Sequence, residues 1–304
     1  MFHVEHAARR CKFVLGSPAP RGIIESVPFT LSHAAAALPF RRTRLIFSAV
    51  VAGSFAPDFE YFARLGPYGK FGHSLPGVFL FDLPMALVML GLYSRYAREP
   101  LRGWLPESVL RRFPPDPAAR ARRGWGWWML AAVSVLVGIA THILWDSFTH
   151  ATYWPYRHIA FLGHTVTLPI VGPVYNYMIF QQLSSILGLV ALGIWVWRQP
   201  PSAPQPVSRP SGRRDGAMLA VLSGIAVAAG LVRALTSVGI HRDRHALMLF
   251  VAVVVVAAMT VFWAEVVVLG AVRARRRGAQ PAAGPAIGPE AELAAPGVDR
   301  GSTR

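Results

Sequence analysis

The chain has 304 residues, of which 53% are hydrophobic and only 15% are charged. A soluble domain does not usually need this much apolar surface, so the composition predicts an integral membrane protein. The formal net charge is +16, but the arginines cluster between apolar runs, where the positive-inside rule accounts for them without a nucleic-acid partner. Cys11 is the single cysteine, which excludes a disulfide framework and leaves nitrogen and oxygen as the ligands of any metal.

The first 26 residues are polar and mixed, and they lack the uninterrupted apolar core of a secretory signal. They are either a disordered cytoplasmic tail or an untranslated extension before a true start at Val27. We favour the second interpretation, since bacterial genes can start at a valine codon.

A short helical hairpin is predicted next. Thr30 or Ser32 can cap a helix over 28–38, which places His33 in its first turn. Pro39 and the arginines that follow it are predicted to end this helix. The apolar segment 45–56 is too short to cross a bilayer comfortably. The hairpin would return His33 and Asp58 to the same end.

Asp58 and Glu60 come at the end of this hairpin, and a glycine-rich loop leads from them to His73. The run 75–93 is a predicted span that carries one acid, Asp82. An acid at that depth normally faces the bundle interior, so it is either a structural partner or part of a site. The segment 95–123 is predicted to be an arginine- and proline-rich loop on the cytoplasmic side.

Four further apolar runs, at 126–148, 179–197, 217–238 and 246–269, complete the predicted fold. With the hairpin they predict an all-α polytopic membrane helical bundle of five or six transmembrane helices. We divide the chain into an extension (1–26), a membrane-embedded metal-site domain (27–197), a linker (198–216), a C-terminal helix pair (217–270) and a disordered basic tail (271–304). The H-R-D-R-H sequence at 241–245 is interpreted as a solvated turn.

The stretch 141–150, T-H-I-L-W-D-S-F-T-H, organises the candidate site. His142, Asp146 and His150 follow at four-residue steps, so they share one face of a helix. An imidazole and a carboxylate at this spacing can close on one ion, as in helical zinc motifs. The alternative is a packed histidine, an aspartate paired with an arginine, and a solvated loop histidine.

The apolar runs deliver further polar residues to the same side. If the arginine-rich segments are cytoplasmic, His73 and Asp146 lie at the extracytoplasmic ends of their spans. The set would suit one or two Zn²⁺, with a carboxylate able to bridge a pair. The alternative is that each member is satisfied separately. The candidates are His33, Asp58, Glu60, His73, His142, Asp146 and His150.

The runs V-P-F-T-L-S-H-A-A-A-A-L-P, A-P-D-F-E-Y-F, G-H-S-L-P-G and T-H-I-L-W-D-S-F-T-H resemble the DUF4184 family of bacterial membrane proteins. The resemblance supports Val27 as the start. More loosely, the order of motifs is similar to the membrane-bound metal-dependent hydrolases of the YdjM type and, in outline, to zinc-dependent phospholipase C. This likeness implies that His33, His73, His142 and Asp146 are ligands and that Asp58 is a ligand or general base. Glu60 stands where the hydrolases often have aspartate, and His150 has no firm counterpart.

These observations predict a membrane-embedded zinc hydrolase at the cytoplasmic membrane. In the simplest mechanism Zn²⁺ acidifies a water and Asp58 or Glu60 accepts its proton. Phosphoesters or lipid-linked molecules are the expected substrates, and the bilayer is the expected partner. The alternatives are a transport or scaffold protein without enzymatic activity, or an ion pathway built on Asp82 and Glu265.

Overall fold

The computed structural model describes residues 30–113, 124–169, 172–202, 212–239 and 244–278. It confirms an all-α bundle, and five of the described helices are long and apolar enough to cross a membrane. The described chain begins with a 3₁₀ helix, Thr30–Arg42. The α-helices are α1 Phe47–Phe55, α2 Phe59–Arg64, α3 Leu75–Trp104, α4 Glu107–Leu110, α5 Trp125–Thr149, α6 Trp154–His158, α7 Ala160–Gly163, α8 Asn176–Arg198, α9 Gly212–Ser237 and α10 Arg244–Gly278.

The N-terminal hairpin forms as predicted, with the 3₁₀ helix packed against α1. The prediction that Pro39 ends the first helix was wrong, because the 3₁₀ helix continues through Pro39 to Arg42. Proline lacks an N–H and therefore removes one backbone hydrogen bond, but here that loss does not end the helix.

Helix α3 is longer than predicted and continues into the arginine-rich segment as far as Trp104. It contains two π-helical stretches, Val78–Asp82 and Tyr93–Ala97. Pro84 and Pro100 each lie in the first turn of the α-helical segment that follows such a stretch. A missing N–H is tolerated there, which explains why neither proline ends α3.

Helix α1 packs closely along α5, and glycines make the close approach possible. A Cβ atom at Gly53 would collide with the carbonyl group of Val135, and one at Gly138 would collide with that of Val50. Small residues allow helix backbones to approach in this way. The contact brings the end of α1 beside the part of α5 that carries His142.

The segment between α5 and α8 contains short elements of secondary structure. It contains α6, α7 and an antiparallel hairpin of β1, Thr165–Leu168, and β2, Gly172–Tyr175. Thr165 pairs with Tyr175 and Leu168 with Gly172. Cross-strand pairs and local hydrogen bonds therefore hold a segment whose sequence shows little periodicity.

The C-terminal helices α9 and α10 pack against each other, and α10 also packs on α3. Helix α10 continues to Gly278, past the predicted boundary at residue 270. The predicted extension at 1–26 and most of the predicted tail lie outside the described residues. The histidine side chains of the predicted turn at 241–245 lie outside them as well.

Candidate metal centre

Five polar side chains from four separate parts of the fold meet between the 3₁₀ helix, α1, α3 and α5. All are buried except His73, which is slightly exposed. They are His33, Asp58, His73, His142 and Asp146. The structure therefore brings together most of the residues that the sequence analysis selected.

The 3₁₀ helix supplies His33 and a residue that sequence reasoning did not assign to the site, Thr30. A 3₁₀ helix has three residues per turn, so positions 30 and 33 lie one above the other. The Thr30 hydroxyl donates a hydrogen bond to Oδ2 of Asp58 at 2.7 Å. Nε2 of His33 lies 3.6 Å from Oδ1 of Asp146. One face of this helix thus contacts both aspartates.

Burial and the neighbouring His142 lower the pKa of His33 to about 4, although Asp146 and Asp58 act in the opposite direction. An imidazole with this pKa is neutral near pH 7. A neutral imidazole has a lone pair and can bind a metal.

His142 is oriented by the backbone at the end of α1. Its Nδ1 lies 2.8 Å from the carbonyl oxygen of Ser54, and since a carbonyl can only accept, Nδ1 donates. Nε2 is then directed toward Asp146 Oδ2 at 3.1 Å and Asp58 Oδ1 at 3.7 Å. Metal-ligating histidines are commonly oriented by such a hydrogen bond from the other ring nitrogen.

Three buried atoms of this cluster have no hydrogen-bond partner among the described residues: Nε2 of His142, Oδ1 of Asp58 and Oδ1 of Asp146. A lone pair facing carboxylate oxygens is unfavourable unless a cation or a proton lies between them. The cluster therefore has the electrostatics of a cation site.

The distances also suit a metal. Two ligands placed at about 2.1 Å from a tetrahedral ion are about 3.4 Å apart. Nε2 of His73 lies 3.4 Å from Oδ2 of Asp146 and 3.8 Å from Oδ1 of Asp58. Two groups of three could hold an ion, His33 with His142 and Asp146, and Asp58 with His73 and His142.

Glu60, which was predicted to be catalytic, is occupied by other contacts. Its carboxylate accepts hydrogen bonds from Arg64 and from the backbone N–H groups of Phe71 at 2.8 Å and Gly72 at 3.2 Å. Burial favours the neutral acid, but the hydrogen bonds from Gly72, Arg64 and Phe71 outweigh it and lower the pKa of Glu60 below its usual value. Glu60 thereby fixes the loop that carries His73.

His150, which was predicted to be a ligand, lies at the edge of the cluster. Its Nδ1 is 3.8 Å from Oδ2 of Asp146 but closer, at 3.2 Å, to the backbone carbonyl of the same residue. Its Nε2 is 3.4 Å from the amide nitrogen of Gln181 on α8. Within the described part of the chain, His150 belongs to neither group of three.

Asp82 and Glu265, the two acidic residues of the suggested ion pathway, differ in their surroundings. Asp82 is fully buried and interacts electrostatically with His73 and His142. Glu265, on α10, has no such interaction with these histidines among the described residues. The structure therefore does not join the two acids in one pathway.

Thr30 and Ser54 are parts of the site that sequence reasoning did not assign, and for Asp82 it left a structural role and a site role open. The spacing of Thr30 and His33 could have indicated Thr30, had a 3₁₀ helix been predicted. An acid inside an apolar run was the signal for Asp82. Ser54 contributes a backbone carbonyl, which leaves no mark on the sequence.

No curated protein and no solved structure matches this chain. A family model described as a domain of unknown function, DUF4184, matches residues 27–270. That range covers the hairpin, the whole cluster and the C-terminal helix pair, so the chain belongs to the DUF4184 family.

Proposed function

We propose that this protein is a membrane-embedded, metal-dependent hydrolase that acts on phosphoester or lipid-linked substrates. One observation carries the proposal: Nε2 of His142 faces Oδ1 of Asp58 and Oδ2 of Asp146, and three buried atoms of the cluster, Nε2 of His142 and Oδ1 of both aspartates, have no hydrogen-bond partner in the described structure. Imidazole and carboxylate ligands on separate helices are the donor set of hydrolytic zinc sites.

When bound, Zn²⁺ would supply Lewis acidity and an activated water nucleophile. The ligands would be His33, His73, His142 and Asp146. Asp58 is the favoured general base, because Thr30 holds its Oδ2 and leaves its Oδ1 directed into the cluster. Glu60 is less suited to accept a proton, since its carboxylate already accepts four hydrogen bonds.

A lipid-linked substrate is supported by the segment that follows the site helix. Trp154, Phe161 and Val166 expose 65, 58 and 45% of their surface on α6, α7 and β1. Exposed aromatic and aliphatic side chains close to the end of a membrane span are typical of the bilayer interface. A substrate held in the membrane would reach the cluster from that side.

We place the site on the extracytoplasmic side of the cytoplasmic membrane, because the arginine-rich segment after α3 follows the end of that helix opposite to His73. Lys70→Cys and Ser108→Cys, introduced separately into a Cys11→Ser background, test this placement. A membrane-impermeant maleimide added to intact cells should label position 70 and leave position 108 unlabelled until the cells are lysed. The reverse labelling pattern would show that the site lies on the cytoplasmic side.

The proposal is tested first by metal content. Protein purified in detergent without chelator should contain zinc at one equivalent or more, and His142→Ala combined with Asp146→Ala should lose it. His158→Ala combined with His164→Ala is the matched control, because both histidines lie outside the cluster. If wild type and the His142/Asp146 variant both contain almost no zinc, the proposed metal-dependent hydrolase is wrong.

Activity is then measured on a chromogenic phosphodiester such as bis(p-nitrophenyl) phosphate and on phospholipid vesicles. Hydrolysis should require the metal and should fall at least about 100-fold in Asp58→Asn, the loss expected for a missing general base. Metal binding without hydrolysis of either substrate would argue against this substrate class.

A second function fits the same distances. A protonated His142 lying between Asp58 and Asp146 would form a buried ion-pair cluster that holds the 3₁₀ helix, α1 and α5 together without a metal. Such a protein would be a structural or transport component. It predicts no bound zinc and no change in thermal stability on adding a chelator.

A further inference from the structure

A second candidate site lies between α3 and α10, in the arginine-bearing parts of the two helices. It is a cavity of about 250 Å³, lined by Arg95, Tyr96, Glu99, Gly270 and Ala274. None of these residues belongs to the candidate metal centre. Pockets for drug-sized ligands usually measure about 300–1,000 Å³, so this cavity suits a small polar group.

The backbones of the two helices shape this cavity. Arg95 and Tyr96 belong to the π-helical stretch Tyr93–Ala97 of α3, which packs against α10. A Cβ atom at Gly270 would collide with the carbonyl group of Tyr96, so the two backbones touch there. Ala274 follows one turn later and has a small side chain, which leaves the adjoining space open. Single π-helical turns are frequent at functional sites.

Arg95 is available to a ligand. Its side chain is exposed, and its guanidinium lies 5.3 Å from the centre of the Tyr96 ring. Residues four apart on a helix often form an ion pair, but Arg95 forms none with Glu99 or with any other acid among the described residues. The planar guanidinium can bind a phosphate group through two hydrogen bonds.

The charge around the cavity favours an anion. One carboxylate, that of Glu99, lines the cavity beside Arg95. Further arginines are neighbours of the lining residues in the chain: Arg98 precedes Glu99, while Arg273 and Arg275 flank Ala274. The positive charges therefore outnumber the negative one. Because a carboxylate accepts hydrogen bonds, Glu99 suits a ligand that also carries hydroxyl groups.

The position of the cavity along α3 indicates the membrane–water interface. Arg95 follows Leu75, the first residue of α3, by about 20 residues, the length that crosses the hydrocarbon core. Tyr93 and Trp104 lie in the same part of the helix, and aromatic residues are enriched at this interface. Basic pockets between membrane helices bind the headgroups of anionic lipids.

We propose that this cavity binds the headgroup of an anionic phospholipid of the phosphatidylglycerol class. Its phosphate would bind Arg95, and its glycerol hydroxyl groups would donate to Glu99. The acyl chains would extend into the bilayer along the apolar parts of α3 and α10. The lipid would thereby join the C-terminal helix pair to the helix that carries His73 at its start. The site is independent of the proposed metal-dependent function.

The test is lipid binding by the full-length protein. Wild type is purified in detergent, delipidated and titrated with phosphatidylglycerol, phosphatidylethanolamine or phosphatidylcholine. Native mass spectrometry counts the bound lipids, and thermal unfolding measures the stabilisation that binding produces. We expect one phosphatidylglycerol per chain, bound at least about tenfold more tightly than the other two lipids, since the neutral headgroups lack its net charge.

Two variants separate a defined site from general attraction to arginine. Arg95→Gln removes the phosphate contact, and Ala274→Leu fills the cavity but keeps every arginine. Each should weaken phosphatidylglycerol binding at least about tenfold, as expected for the loss of charge-assisted hydrogen bonds. Arg44→Gln is the matched control, because it removes an exposed arginine outside the cavity. If Ala274→Leu does not fold, Arg95→Lys, which keeps the charge, should recover most of the affinity that Arg95→Gln loses.

Three results would overturn the proposal. Equal affinity for the three lipids, or an Arg44→Gln variant as weak as Arg95→Gln, would show unspecific attraction. Preference for phosphatidylethanolamine would assign the cavity to a zwitterionic headgroup. Glycerol 3-phosphate that binds as tightly as the lipid would indicate a site for a soluble phosphate ester. Zinc content is measured separately, so each of these results leaves the proposed hydrolase unaffected.

Discussion

Nδ1 of His142 on α5 lies 2.8 Å from the carbonyl oxygen of Ser54 on α1, so the packing of these two helices sets the direction of the other ring nitrogen, Nε2, which faces the cluster. The ring cannot keep this hydrogen bond if the helices separate. The orientation of His142 in the candidate metal centre is therefore coupled to the packing of α1 on α5.

The first prediction follows from this coupling. Gly138→Ala should force α1 and α5 apart, because its Cβ atom would collide with the carbonyl of Val50. We expect destabilisation of about 1–3 kcal/mol, typical of overpacking, and loss of zinc at low free concentrations. Gly126→Ala on the same helix is the control, since a Cβ atom there has nothing within 4 Å. Equal zinc content in the two variants would disprove the coupling.

Thr30 provides the second prediction. Its hydroxyl donates to Asp58 Oδ2 at 2.7 Å, and a buried carboxylate that loses a donor costs about 1–3 kcal/mol. Thr30→Val should therefore lower the unfolding temperature and weaken metal binding, while Thr30→Ser should preserve both. Isothermal titration with Zn²⁺ and thermal unfolding measure the two effects. A Thr30→Val variant that behaves like wild type would show that Asp58 does not need this donor.

The candidate site was predictable to the extent that local spacing determines it. The i, i+4 relation of His142 and Asp146 follows from helix geometry and appears in the structure as predicted. The sequence analysis offered Asp58 and Glu60 as alternative general bases, but the structure directs their carboxylates to different surroundings. Positions 58 and 60 are close in sequence, but two residues along a helix correspond to a rotation of about 200°. Asp58 thus faces the cluster while Glu60 faces the loop amides.

Other features depend on long-range packing and leave little trace in the sequence. Asp82 can approach the loop before His73 only because Gly72 has no side chain. The Ser54 carbonyl becomes a partner of His142 only through the α1–α5 contact. The five apolar spans were predictable, because length and hydropathy alone determine them. The ends of α3 and α10 were not, because arginine-rich continuations of a helix look like loops when judged by hydropathy.

Glu60→Gln is the third prediction, and it separates a loop-positioning role from a catalytic one. The pKa of Glu60 is lowered in the folded protein, so its ionised form contributes stability above its ordinary value of 4.5, and this contribution is lost as the pH falls through the folded value. The wild-type unfolding temperature should therefore drop on acidification below about pH 4.5, and Glu60→Gln should lack this component. The variant should bind metal more weakly through a less ordered His73, but keep the shape of the pH–rate profile. A lost limb of that profile would indicate a general base instead.

The fourth prediction concerns His33, whose pKa falls from its ordinary value of 6.5 to about 4 on folding, because of burial and the neighbouring His142. Between these values the unfolded chain binds a proton at His33 and the folded chain does not, so the His33 contribution to stability decreases as the pH falls from 6.5 to 4. His33→Gln cannot be protonated and should lack this decrease. As the pH falls across this range, the unfolding temperature of metal-free wild type should therefore fall relative to that of His33→Gln. Above about pH 7 the difference between the two should remain constant. Lys70→Ala, an exposed change in the neighbouring loop, is the control and should follow wild type. A constant difference between wild type and His33→Gln at every pH would mean that His33 is not held neutral by burial, and would remove the reason to expect its lone pair to be available to a metal.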